Sequence, residues 1–394
     1  MRQHKICVVT GSRAEYGLLY PVIKRLDAEQ DMELSLVVTG SHLDAAFGNT
    51  IQEIHGDGFS VAATIPVPTE ISSRCDMAKS AGAALSAFAD YFAAHRPDML
   101  VILGDRYEIF AVATAAALQG IPIAHLHGGE TTEGAVDEFL RHSITKMSWL
   151  HFTSCEEYRN RVIQLGEAPE RVYNVGATSV ENSRKLELLS ETELREQLSL
   201  GADPYCVVTF HPVTLDESPA KEQVYELIHA MEEFPQMRFV ITKSNADAGG
   251  VEINRIWDEE GAKHPNWTVT ASLGMRRYLS ALKYARMMIG NSSSGITEGP
   301  AMQLPTVNIG NRQKGRMMAD SIVNCPVEQS AIADTIRLCD GEAMQQRAKA
   351  VKNPYGDGST SQKIEEILRK ELLSGLNNTQ KSFYNLSALP SADI

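Results

Sequence analysis

The hydrophobic positions of this chain fall into two kinds of run that alternate along it. Short runs of consecutive apolar and β-branched residues are KICVVT (5–10), LSLVVT (34–39), DMLVIL (98–103), IPIAHL (121–126), LHFT (150–153) and RVYNVG (171–176). All but the last are followed by helix-length amphipathic stretches, at 14–29, 43–56, 107–119, 137–147 and 156–165. Strands that are apolar on successive residues, rather than on alternate ones, are those buried on both faces of a parallel sheet. The pattern therefore predicts an open, doubly wound α/β domain.

The alternation pauses at ENSRKLELLSETELREQLSLGADP (181–204), which is charged and helical without a strand and reads as a linker. It restarts with YCVVTF (205–210), RFVIT (238–242), WTVTA (267–271), RMMIG (286–290) and PTVNIG (305–310), interleaved with helices near 219–233, 250–263, 275–284 and from about 294. The expected fold class is α/β, two Rossmann-like domains facing a cleft that serves as the default ligand site. The domains are expected at 1–185 and 186–360. Residues 361–394 supply one more helix (361–374) and end in a polar segment, QKSFYNLSALPSADI, expected to be mobile.

Composition narrows the partners. A chain of 394 residues is too long for one ordinary core and suits two. A net charge of −13 argues against a general nucleic-acid or anionic-membrane binder, although a local anion pocket is compatible with it. The six cysteines are scattered without a CxxC pair, as in proteins of a reducing compartment. MRQHKICVVTG is no secretory h-region and no apolar run approaches a membrane span, so a cytoplasmic location is expected.

In open parallel sheets, ligand groups gather beyond the carboxyl ends of strands, and the polar, glycine-rich words of this chain lie there. GSRAEYG (11–17) lacks the dinucleotide spacing, but its helix start and Arg13 could hold an anion. GNSSSGITEGP (290–300) offers Ser292 and Ser293 at a helix start, more serines than an N-cap needs, with Glu298 a turn further on and suited to ribose hydroxyls. FHPVT places His211, TKSNADAGG places Asn245 and Asp247, and IGNRQKGR places Arg312 around the same sheet edge, a set that suits a nucleoside diphosphate. GDRYE sets Asp105 and Arg106 at the matching edge of the first domain, where a structural ion pair is the alternative. HLHGGETTEGAVDEFLRH (125–142) crowds His125, His127 and His142 with Glu130, Glu133, Asp137, Glu138 and Arg141. A metal reading of this stretch fails on pattern, because neither HExxH nor another established ligand spacing is present.

Taken in order, GSRAEYG, GDRYE, HGGE, DEFLRHSITKMS, GNSSSG and NIGNRQKGR resemble the hydrolysing branch of the UDP-N-acetylglucosamine 2-epimerases, the branch that feeds sialic- and legionaminic-acid pathways, from about residue 5 to 360. The resemblance implies a glycosyltransferase-B architecture with a C-terminal helix returning to the first domain, and oligomers, either homodimers or homotetramers. Non-hydrolysing relatives carry an acidic residue where His127 stands; the hydrolysing branch has it three places later, at Glu130.

The reaction so implied is loss of UDP from UDP-N-acetylglucosamine to give 2-acetamidoglucal, then addition of water to give N-acetylmannosamine, with no cofactor. The family's essential carboxylates match Asp105, Glu130 and Asp137. Glu130 and Asp137 are expected to form the acid/base pair, Asp105 to position the sugar or tune a partner, and Arg141 and His142 to orient the cluster. Phosphate binding falls to Arg13, Arg106, His211, Ser292 and Ser293, ribose to Glu298, and uracil to Leu273 and Tyr278, with Arg312 nearby. Three alternatives stay open: the same chemistry on UDP-2,4-diacetamido-2,4,6-trideoxyglucose, a non-hydrolysing epimerase, and a glycosyltransferase on the same fold. A catalytically silent UDP-sugar sensor would need an incomplete carboxylate set, and this set is complete.

Overall fold

The computed structural model describes residues 3–71, 73–132, 136–212, 219–244, 250–375 and 380–386. It divides into two compact units, Met1–Glu181 with Tyr355–Ile394, and Asn182–Pro354, so the changeovers fall a few residues before the expected 185 and 360.

In the first unit, strands β1 (His4–Thr10), β2 (Met32–Thr39), β3 (Val61–Ile65), β4 (Met99–Leu103), β5 (Ile123–Leu126), β6 (Leu150–Thr153) and β7 (Val172–Asn174) form one parallel sheet, ordered β3-β2-β1-β4-β5-β6-β7. The helices between and after them are α1 (Arg13–Asp27), α2 (Ile51–Gly56), α3 (Arg74–Ala94), α4 (Tyr107–Leu118), α5 (Val136–Met147) and α6 (Glu156–Gln164), and α7 (Thr178–Lys185) runs across the changeover at Glu181. The apolar runs are explained by two core layers. Ile6, Val8, Leu36, Val38 and Val101 pack on one face with residues of α1, and Cys7, Val9, Val37, Leu100 and Ile102 on the other with residues of α3 and α4. Since successive side chains point to opposite faces, both parities must be apolar.

The second unit repeats the plan. Strands β8 (Tyr205–Thr209), β9 (Arg238–Thr242), β10 (Trp267–Thr270), β11 (Met288–Gly290), β12 (Thr306–Ile309) and β13 (Ile322–Cys325) are parallel and ordered β10-β9-β8-β11-β12-β13. Helices α8 (Glu191–Leu198), α9 (Ala220–Glu232), α10 (Gly250–Gly261), α11 (Gly274–Tyr284), α12 (Ser294–Ala301), α13 (Gln329–Asp340) and α14 (Glu342–Lys349) cover it. The last helix, α15 (Thr360–Ser374), belongs to the first unit, where Ile364, Leu368 and Leu372 enter the layer that also holds Leu19 and Ile23 of α1. Its amino end is held by buried Glu181, whose carboxylate accepts the Ser361 backbone N–H and hydroxyl, each at 2.6 Å.

Five stretches differ from the sequence-based expectation. The stretch 43–56 starts at the end of one 3₁₀ turn (Gly40–Leu43) and holds a second (Ala45–Phe47) and the short α2, not one helix. Residues 181–204 are no plain linker: α8 begins with a capping box between Ser190 and Glu193 and buries Leu194 and Leu198 in the second unit's core. β3 and α3 lie where no element was anticipated, as do β13, α13 and α14. Finally, the described part of the tail, 380–386, is docked and not loose. The Lys381 ammonium donates to the carbonyls of Lys146 (2.8 Å) and Ser148 (2.7 Å) and to buried Glu167 (2.8 Å). The Phe383 ring lies where any side chain on Gly166 would be, 2.4 Å from an ideal Cβ.

Candidate functional site

Each sheet reverses strand order once beside its first strand, between β1 and β4 in the first unit and between β8 and β11 in the second. Such switch points open a crevice at the carboxyl ends of the strands. Most of the described residues singled out from the sequence follow the strands at or beside these two places.

In the first unit the turn after β5 is built around backbone that most residues avoid. His127 adopts φ +65° and Gly129 φ +80°. A Cβ on Gly129 would stand 2.4 Å from the Tyr158 carbonyl oxygen, so glycine is required there. The turn aims Glu130, only 9% exposed, so that its Oε1 accepts from Ser154 Oγ at 2.8 Å and lies 3.1 Å from His127 Nδ1. Arg141, 4% exposed, binds the cluster together. Its guanidinium donates to the Glu130 carbonyl (2.8 Å) and Thr132 Oγ1 (2.7 Å), lies 3.4 Å from Glu138 and pairs with Asp105 from the end of β4. Glu138 in turn accepts the Thr132 N–H at 2.5 Å and reaches His142 Nε2 at 3.2 Å. Asp137 is half-buried in the first turn of α5.

His125 has a supporting role below this turn. It is fully buried; its Nε2 donates to the Gly104 carbonyl at 2.7 Å, joining the ends of β4 and β5, and Thr145 Oγ1 lies 3.3 Å from Nδ1. Burial holds its pKa at about 3, so it is neutral. Among the described residues, no three His, Cys, Asp or Glu side chains converge as metal ligands would.

The ends of β1 and β4 hold a second group. Ser12 caps α1, and exposed Arg13 pairs with exposed Glu53 at 2.9 Å. The Arg106 Nε donates to buried Glu108 at 2.5 Å, leaving the guanidinium's terminal nitrogens for other partners. Buried Glu15 accepts the Gly11 N–H at 2.9 Å. His42, also buried, lies 3.0 Å from Thr10 Oγ1 and 2.8 Å from Thr50 Oγ1, and burial lowers its pKa to about 4.

In the second unit Asn291 stitches three strand ends together. Fully buried, it accepts the His211 N–H at 2.7 Å, donates to the His211 carbonyl at 2.8 Å, and offers its own carbonyl to Arg312 (3.2 Å) and Gln313 (2.8 Å). Gly290 makes the approach feasible: at φ +134°, a Cβ there would sit 1.9 Å from the Thr209 carbonyl. His211 Nδ1 lies 3.1 Å from Ser244 Oγ; burial, with help from Arg312, lowers the imidazole to about 4, so it is neutral. Ser292 Oγ accepts the Ser294 N–H at 3.3 Å and Ser293 is the N-cap of α12. Gly295 and Gly299 let that helix lie against Thr306 of β12. Glu298 is half-buried beside Thr297, and burial pushes its carboxyl up. Leu273 caps α11 and Tyr278 packs on the same core layer, its phenol raised by burial.

The structure thus brings Asp105, Glu130, Arg141 and His142 into one network, with His127 bound to Glu130 and Asp137 on the adjoining turn of helix; it gathers His211, Ser292, Ser293 and Arg312 at the second switch point. Asn245, Asp247 and Glu133 lie outside the described residues. Glu15, Glu108, Ser154, Thr132 and Asn291 join the sites although the sequence pattern does not single them out. Glu15, Glu108, Thr132 and Asn291 stand inside GSRAEYG, GDRYE, HLHGGETTEGAVDEFLRH and GNSSSG, so their position after strands was the signal available; Ser154 carried none.

Comparison with known proteins adds to this geometry. The family model for UDP-N-acetylglucosamine 2-epimerase matches residues 24–369. The polysialic acid biosynthesis protein P7 of Escherichia coli is 39% identical over 383 residues, 97% of this chain and 97% of that protein. The hydrolysing GDP/UDP-N,N'-diacetylbacillosamine 2-epimerase of Campylobacter jejuni is 39% identical over 83% of this chain and 85% of its own length. Among solved structures, the UDP-GlcNAc 2-epimerase of Neisseria meningitidis bound to UDP-GlcNAc superimposes with a TM-score of 0.80 at 17% identity, over 93% of this chain and 100% of that one.

Proposed function

The chain belongs to the UDP-N-acetylglucosamine 2-epimerase family, and from that premise we propose that it converts UDP-N-acetylglucosamine and water to N-acetylmannosamine and UDP. C2–H of the sugar is not next to a carbonyl, so its removal becomes feasible only as the bond from C1 to the diphosphate oxygen breaks. The base takes the C2 proton, the C–H electrons form the C1–C2 double bond, and UDP departs with the C1–O pair. Water then adds to the 2-acetamidoglucal: hydroxide goes to C1 and a proton to the opposite face of C2. Such a site needs carboxylates at C1 and C2 and donors that stabilise the leaving diphosphate.

Glu130 and Asp137 are the acid/base pair in this reading, and Asp105 positions the sugar or tunes a partner. Arg141 and His142 orient them. Arg13, Arg106, neutral His211, Ser292 and Ser293 take the phosphates, Glu298 the ribose, and Leu273 with Tyr278 the uracil, with Arg312 next to His211; Asn245 and Asp247 are proposed as further substrate ligands on their sequence position alone. The observation that carries the proposal is the Arg141 network, in which one buried guanidinium ties Glu130 of the β5 turn to Asp105 of β4. That arrangement holds a carboxylate set in one geometry, as acid/base work on adjacent carbons requires.

Hydrolysis, rather than release of a UDP-linked epimer, is supported by Glu130 standing three places after His127 and by the Campylobacter relative being named a hydrolysing enzyme. That name also favours a second reading, the same chemistry on UDP-N,N'-diacetylbacillosamine, and a comparison of kcat/KM for the two sugars decides between them. Oligomers and a cytoplasmic location remain part of the proposal, to be checked by light scattering and by fractionation; among the described residues no helix is long and apolar enough to cross a membrane. The site itself is tested with Glu130→Gln. UDP affinity should stay within about threefold while kcat falls by about 10²- to 10⁴-fold, the usual worth of a positioned acid or base. Parallel loss of both would assign Glu130 a structural role.

A further inference from the structure

Two buried carboxyl groups at the first switch point have no part in the acid/base network. Glu15, 4% exposed in the first turn of α1, and Glu108, 1% exposed in the first turn of α4, face one another across Gly11. A Cβ on that glycine would lie 3.1 Å from Glu108 Oε1 and 3.4 Å from Glu15 Oε2. Between them they engage one guanidinium: Arg106 Nε donates to Glu108 Oε1 at 2.5 Å, whereas Glu15 receives the Gly11 N–H at 2.9 Å. The second oxygen of each, Glu15 Oε1 and Glu108 Oε2, is buried with no hydrogen-bond partner. Two ionised carboxylates so close, with one cation for both, are disfavoured.

We propose that Glu15 and Glu108 are positioning residues for Arg106: Glu108, hydrogen-bonded to its Nε, aims the guanidinium, and protonated Glu15 keeps a second negative charge away from the anion that this guanidinium binds. The inference rests on the reading of Arg106 as a ligand of the UDP diphosphate. Of the two carboxyl groups, Glu108 is the one that pairs directly with Arg106. Burial, reinforced by the Glu108 charge and opposed by the Gly11 N–H and Arg106, pushes the Glu15 carboxyl up to about 8. The other groups around the pair do not titrate in the same window. His42 at the end of β2 is neutral, with its pKa near 4, the Tyr107 phenol is raised by burial, and Arg13 is paired with Glu53 at the surface.

Deprotonating Glu15 adds a negative charge beside the diphosphate site, so UDP affinity should fall as pH rises past 8, and by linkage UDP binding should draw a proton onto the protein. The experiment is calorimetric titration of the full chain with UDP at constant ionic strength from pH 7.5 to 9, a window above the titration of the nucleotide's last phosphate proton and below that of the uracil N3–H. The wild type should lose about fourfold in affinity across this range, the change expected if UDP raises the Glu15 pKa by about one unit. E15Q should bind UDP with no such step, and E108Q should shift the step to lower pH. At pH 8 to 8.5, in buffers of differing ionisation heat, the wild type should take up a measurable fraction of a proton per UDP, a readout that does not depend on any variant folding. A pH-independent wild-type affinity, a step that persists in E15Q, or no proton uptake would overturn the inference while leaving the UDP site standing. Absence of UDP binding at every pH would overturn the reading of the site and this inference with it.

Discussion

Replacing Arg141 by Met should disrupt the first unit more than any other single change to the proposed acid/base network. The guanidinium is 5% exposed and has bonds of 2.8 Å and 2.7 Å to the Glu130 carbonyl and Thr132 Oγ1, besides its pairs with Asp105 and Glu138. Removing one member of a buried ion pair strands the other, at a cost of about 3 to 5 kcal/mol. Asp105→Asn alone removes the charge but leaves an acceptor, and should cost about 1 to 2 kcal/mol. The double variant no longer strands Asp105, so it should recover about 1.5 to 3 kcal/mol relative to the sum of the singles. Urea unfolding of the four proteins, followed by the transition of the first unit, gives the cycle. Additivity within about 0.5 kcal/mol would refute the claim that Arg141 and Asp105 act as one unit.

Three further outcomes follow from local geometry. Gly129→Ala combines φ +80° with a Cβ 2.4 Å from the Tyr158 carbonyl, so it should destabilise by more than about 2 kcal/mol in thermal unfolding, whereas a shift below 1 °C would show that the turn can relax. Asn291→Ala deletes two bonds to the His211 backbone and should weaken UDP binding about tenfold or more in a chain that stays folded by circular dichroism; a change under twofold would detach Asn291 from the site. Burial alone would raise Glu167, but hydrogen bonds from His151, Lys146 and Lys381 outweigh it and lower the carboxyl to about 2. Its folded pKa is thus below the unfolded value of about 4.3, so its stabilisation is complete above that value and is lost as pH falls from about 4.3 to about 2. The stability gap between wild type and Glu167→Gln should be level above pH 5 and close across that window; a gap that stays constant down to pH 2 would contradict the assignment.

The legible parts of this chain were those in which one local rule decides. Strands such as LVVT and VVTG must be apolar on both parities because helices cover both faces of the sheet, and the polar words sit at their ends because the chain turns there. The helix α3 was not legible: it buries Ser80, Ala84, Phe88 and Phe92 at a four-residue spacing, but two of those four side chains are small and carry little hydrophobic contrast. In the site, Glu130 and Asp105 could be named from their motifs, whereas their joining by Arg141 depends on β4 lying beside β5. The Glu15–Glu108 pair depends equally on β4 lying beside β1, a neighbour relation set by topology and not by spacing. The docked tail is the sharpest case. Lys381 reads as a solvated charge in a polar segment, but Glu167 and two carbonyls at the end of α5 give it partners that no local pattern announces.

Incubating the purified chain with UDP-N-acetylglucosamine in deuterium oxide tests the central claim most directly. The account predicts release of UDP together with N-acetylmannosamine that carries deuterium at C2, because the proton lost in the elimination is replaced from solvent. Product that retains protium at C2, or a sugar still linked to UDP, would contradict it.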